Sequence, residues 1–363
     1  MVWQHLLEDG RGRITLPMPR DAGLIRADPV PRGVGRRLFI LGAVCVCAVP
    51  LMQCGAGGDP DHQSRRPAPR RVFRSEPFDT GFSVVLAASL HADRAAPLIA
   101  AQDSSLYTFD KATREITAWR HDGSVRWRTH PHPPAAAEIV NAIDLEVDPG
   151  GGVLVVDAAR RTVTRVTRAG ELQTQVALAG LLIRDVVALD SHVLVLPVGA
   201  GEYMIELDSM LRPSRHFAHP DRRMNTIDPF LRQTFASGAG AAGEWATVYP
   251  SGNRLDVFRD TVLHCSGTLV EGSEFPRERR GAQVWAAGVA VTDSVVLVLP
   301  RGETEDRLRV LDAYSVVDCS YRYTIRLPRR VSGVAAGGDM IFLAFGKPAP
   351  GVIGLRHTRG IRP

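Results

Sequence analysis

Lysine is almost missing from this chain. Only Lys111 and Lys347 occur among its 44 basic residues, so the positive charge is carried by arginine. The formal net charge is +5, but the arginines are spread along the chain and alternate with acids. That dispersal is a solvated surface rather than one basic face, and it speaks against nucleic acid as a partner. Cysteine is scarce too, at five residues in 363. Three of these, Cys45, Cys47 and Cys54, lie in or just after one apolar run, which leaves Cys265 and Cys319 for the folded part. Two cysteines exclude a disulfide scaffold. Their spacing places both early in the fourth strand of neighbouring repeats, where outer strands diverge, so two unpaired thiols are expected. No nucleophile elbow, phosphate loop or CxxC occurs.

A helical period is also absent beyond about Ser83. Apolar residues recur at period 2, and turn signals come every 8 to 12 residues, which is an all-β pattern. The segments repeat. "NAIDLEVDPGGGVLVVDAARRTVTRVTRAGELQTQVAL" from Asn141, the stretch from Leu182 and the stretch from Ala286 share one order of four strands and three turns. Weaker copies begin at Pro97 and Asn225, and a last copy from Val331 stops after three strands. Equivalent positions near the start of strand one fall at 98, 144, 185, 228, 288 and 333. A four-stranded period of roughly 40 to 50 residues is the mark of a β-propeller blade. Six copies predict six blades, spanning 81–363. The unassigned strand "GFSVVLAASL", Gly81 to Leu90, is predicted to complete the last blade and close the ring.

The long fourth interval carries an insertion, Glu271 to Trp285. The second copy resembles an NHL-type repeat in its "DLEVDPGGGVLVVDAARRTVTRVTRAGEL". The whole of 81–363 is similar to the six-bladed NHL-like propellers of exported bacterial lipoproteins.

Ahead of the repeats, "RRLFILGAVCVCAVPLMQC" (36–54) sets two arginines before an apolar run and reads as an export signal. "LMQC" resembles a lipobox with Cys54 as the lipidated residue, although Gln53 departs from its small-residue pattern. "GRRLFIL" also looks like a twin-arginine signal. Residues 1–35 precede the signal, as a disordered leader or a start assigned too early. Residues 55–80 form a basic tether whose "RRPAPRR" suits anionic head groups. The expected address is the cell envelope, with the membrane reached through this anchor.

Strand one of a propeller blade lines the central channel. Asp144, Asp185 and Asp228 are therefore expected to ring one mouth. There they either hold Ca²⁺ or share protons as acid and base, or each caps its own loop. No resident cofactor other than such a Ca²⁺ is implied. "MNTIDPFLRQTF" (224–235), with Phe230 and Phe235, and the insertion ending at Trp285 are the candidate partner-binding loops, unless their apolar residues pack between blades. His130 and His132, like His216 and His219, fall in inter-blade links. The favoured reading is a monomeric binding or scaffold module for a protein, peptide or glycan. The alternative is a metal-dependent hydrolase or lyase, similar to a gluconolactonase, with a channel carboxylate site. That likeness implies a glutamate opening an inner strand, and the repeat pattern places none.

Overall fold

The computed structural model describes residues 71–74, 78–85, 96–102, 105–120, 122–129, 139–238, 243–276, 282–302, 304, 306–346 and 350–357. The export signal, Cys54, His130 and His132 lie outside the described residues.

The fold is all-β, with six four-stranded blades in a ring. Blade one is β3 (Leu98–Gln102), β4 (Ser105–Asp110), β5 (Glu115–Arg120) and β6 (Val125–Arg128). Blade two is β7 (Ala142–Asp148), β8 (Gly152–Asp157), β9 (Thr162–Val166) and β10 (Leu172–Ala177). Blade three is β11 (Leu182–Ala188), β12 (Val193–Val198), β13 (Met204–Leu207) and β14 (Pro213–Phe217). Blade four is β15 (Phe235–Ser237), β16 (Glu244–Val248), β17 (Arg254–Arg259) and β18 (Val262–Thr268). Blade five is β19 (Ala286–Val291), β20 (Val295–Pro300), β21 (Val310–Ser315) and β22 (Tyr321–Arg326). Blade six has β23 (Gly333–Gly337), β24 (Met340–Phe345) and β25 (Gly351–His357), completed by β2 (Phe78–Val85) from the N-terminal side. Each inner strand touches the next, and β23 returns to β3.

The closing strand is the expected one, with pairs running from Phe78↔His357 to Val85↔Gly351. It begins at Phe78 rather than Gly81. A second N-terminal piece, β1 (Phe73–Arg74), pairs in parallel with β22. Strand structure therefore reaches into the stretch read as tether, which gives way to the propeller at 71–74 and 78–80. Arg71 explains the docking. Its guanidinium donates to both carboxylate oxygens of Asp312 at 3.0 and 2.9 Å and to Glu271 at 2.7 Å.

The core is six layers, one between each pair of neighbouring blades. Leu154, Val156 and Val163 of blade two meet Val186, Val193 and Val195 of blade three, and the other interfaces follow suit. A middle strand is covered on both faces, so β8, β20 and β24 are buried at every residue and read as continuous apolar runs. Outer strands keep one wet face, and β18 alternates exposed and half-buried along its whole length. The "DPGGG" turn of blade two needs its glycines. Gly151 has φ +86°, and a side chain on Gly152 would run into the Val166 carbonyl.

Two expectations are corrected. Cys265 and Cys319 form a disulfide, with Cα atoms 5.8 Å apart. Cys319 is not in a strand. It occupies the β21–β22 turn at φ +55°, and that turn leans back onto β18 of the preceding blade. Gly267 has no side chain where the Cys319 carbonyl approaches, which permits the contact. The second correction is Asp228, which does not open strand one of blade four. That strand begins only at Phe235. Asp228 lies in the link after a single 3-10 turn (Met224–Thr226), accepting the Phe230 N–H at 2.9 Å, while its carbonyl receives Leu231 and Arg232. An aspartate before proline makes this local turn readily, and here the turn outcompetes the strand.

Candidate functional site

The inner strands converge on a cavity of about 640 Å³ at one mouth of the channel, lined from all six blades. Asp144 and Asp185 are there, as the repeat predicts. β-Bulges aim them. The ladder slips between Ala142 and Asp144 in β7, between Ile183 and Asp185 in β11, and between Ala286 and Gly288 in β19. The bulge recurs at one level in three blades and sets Asp144, Asp185 and Gly288 at equivalent places in the cavity lining.

Asp144 does cap backbone, but in the next blade. The Val186 N–H of β11 donates to its carboxylate at 2.8 Å. Glu146 sits two residues along β7 on the same face and reaches further, accepting the Gly238 N–H at the end of β15 at 3.0 Å. That bond joins blade two to blade four across the channel. Asp185 is 4% exposed, and its Oδ2 has no hydrogen-bond partner. Arg184, the bulged residue beside it, keeps its Nε 4.0 Å from that oxygen and lays its guanidinium over the Phe235 ring at 4.3 Å.

Burial dominates the electrostatics. It pushes the Asp144 carboxyl up to about 6, against the pull of the Val186 and Leu145 N–H groups. Burial and then the Asp144 charge raise Asp185 and Glu146 well above the ordinary carboxylate range. Cations complete the wall. Burial and Arg184 lower Lys111, and burial, Arg307 and Arg330 lower Arg301. All five cations belong to the cavity lining.

Sequence reasoning missed Glu146 and the cations. Glu146 was legible, because strand period 2 puts it on the face of Asp144. Arg301, Arg307 and Arg330 flank strand ends and Arg184 is the bulged residue of β11, places that no repeat frame marks. Among the described residues no group of three His, Cys, Asp or Glu side chains is arranged to hold a metal ion.

The expected partner loops fare differently. In 224–235, Met224 and Leu231 are buried, and Phe230 packs over Gly199, so the segment fills space between blades. Phe235 alone lines the cavity. Trp285 is half-buried and outside the cavity lining, and its backbone links Pro250 and Arg301. His219 belongs to a sealed polar cluster between blades three and four. There its Nε2 lies 3.1 Å from Asp256, and Tyr249 donates to the same carboxylate at 2.8 Å. Both the His219 and Asp256 side chains are fully buried, so the cluster serves the interface.

No family model matches the sequence, and no curated protein matches it. Solved structures do match. U3-55K aligns at 9% identity over 77% of this chain and 100% of its own, with a TM-score of 0.50. A catalytically inactive virginiamycin B lyase from Staphylococcus aureus, bound to quinupristin, aligns at 10% identity over 73% and 82%, with a TM-score of 0.49. The Pan2 WD40 domain of Neurospora crassa aligns at 11% identity over 81% and 99%, with a TM-score of 0.47. Identities this low speak to the propeller fold alone.

Proposed function

We propose that this chain is an exported propeller of the NHL-like repeat type that works as a binding module, with its ligand seated at the channel mouth. The observation that carries this reading is the mouth itself: a cavity of about 640 Å³ lined from six blades, with buried carboxylates and several cations converging on it. That volume lies in the range of pockets that enclose a small ligand or the end of a larger one. A protein, peptide or glycan presenting one chain end or one sugar would fit.

Export is supported by the arginine-led apolar run at 36–54 and by the Cys265–Cys319 disulfide, a bond that persists in oxidising compartments. Cys54 is the residue we assign to lipidation, and labelling with an alkyne fatty acid that Cys54→Ser abolishes would support it. The hydrolase alternative gains nothing from the mouth, where no three-ligand metal group is assembled among the described residues.

The test is capture from the native envelope by cross-linking, with wild-type protein and with Asp185→Asn and Arg307→Gln variants. A partner held by wild-type and lost from both variants supports the site. A partner retained by both overturns it.

A further inference from the structure

The charges at the mouth are not mixed evenly. In a closed ring of six, blade two faces blade five and blade three faces blade six. The carboxylates Asp144 and Glu146 belong to blade two, and Asp185 belongs to blade three. Arg301 and Arg307 belong to blade five, and Arg330 lies in the link that enters blade six. An acidic wall therefore stands across the cavity from a basic one. Lys111 of blade one and Arg184 of blade three are the exceptions, and Arg184 is turned aside onto Phe235.

Each wall holds a buried polar atom that meets no hydrogen-bond partner, Asp185 Oδ2 on one side and Arg307 Nε on the other. On the acidic side, the Oδ2 of Asp185 is buried without a hydrogen bond, although buried polar atoms are nearly always paired. The cation beside it stays beyond hydrogen-bond reach at 4.0 Å. On the basic side, Arg301, 8% exposed, lines the cavity together with Arg307 and Arg330. The buried Nε of Arg307 also has no hydrogen-bond partner. A donor would relieve the first wall, and an anion the second.

We infer that the mouth takes a small zwitterion of dipeptide size, its ammonium on Asp185 and its carboxylate against Arg301, Arg307 and Arg330. The inference rests on the binding reading above and names its ligand class. A free peptide has this dipolar form, with its charges at opposite ends.

Calorimetric titration with alanylalanine, N-acetylalanylalanine and alanylalaninamide tests it. The acetylated probe lacks the ammonium, and the amide lacks the carboxylate. Each blocked form is expected to bind at least about tenfold more weakly than the parent, the worth of one charged hydrogen bond. Asp185→Asn should erase the preference over the acetylated probe, and Arg307→Gln the preference over the amide. A single cooperative melt, at or above the wild-type temperature for Asp185→Asn, establishes that each variant folds.

Equal binding of blocked and free probes overturns the inference, as does the absence of heat at millimolar probe. If an envelope partner is nevertheless lost from both variants, the ligand class fails and the site stands. A partner kept by both variants fails the site as well.

Discussion

Asp185 and Asp144 make the fold sensitive to pH in a defined direction. Both carboxyls titrate above their unfolded values, Asp144 near 6 against 3.8. A group raised in this way contributes stability that is complete below about pH 4 and is lost as pH climbs through the folded value. For Asp144 that loss runs from about pH 4 to about pH 7, and the melting temperature should fall across it. Asp185→Asn removes one of the two buried carboxylate charges. It should raise the melting temperature in alkaline buffer and change it little at pH 4, as thermal melts at the two pH values would register. Two of the three aspartates expected at the mouth were legible, because the repeat frame carries side-chain direction with it. Asp228 was not, because the local turn chemistry of "IDPF" imitates the start of a strand.

At the scale of elements, the added strand β1 and the inter-blade disulfide both tie down blade five. Arg71 neutralises Asp312, whose side chain is 3% exposed. Arg71→Ala leaves that carboxylate with the Thr324 hydroxyl but without its counter-charge and should cost about 3 kcal/mol in urea unfolding. Arg74 rests on the Tyr323 ring at 4.1 Å at the surface, and Arg74→Ala should cost less than about 1 kcal/mol. The Cys265–Cys319 bond closes a loop across 54 residues, and its reduction or Cys265→Ser should cost about 2–4 kcal/mol, read from paired denaturation curves with and without reductant. Neither feature could be read from strand period. Blade strands diverge as they leave the axis, so two strand cysteines should not meet. What brings them together is a turn with a left-handed residue, which periodicity does not locate.

For the whole molecule, the six-fold repeat and its closure were the most legible facts, because both follow from counting strands: five copies have four, and the last has three. Closure pairs residues as far apart as Phe78 and His357, so the ring cannot seal until the last blade exists. A chain beginning at residue 86 should lose cooperative unfolding and melt well below the intact protein. One beginning at 75 should keep a single transition at a modestly lower temperature. Differential scanning calorimetry separates the two outcomes, and equal melting of both truncations would show that β2 does not hold the ring.

The order of these two N-terminal attachments has a mechanical side. Any pull transmitted along the chain from its N-terminal side meets Arg71 and β1 on blade five before it meets β2 on blade six. The first contact to yield under tension is thus a peripheral clasp whose loss leaves the ring whole. Force entering ahead of Arg71 loads this outer clasp first, and its release leaves the β2–β25 seam of blade six paired.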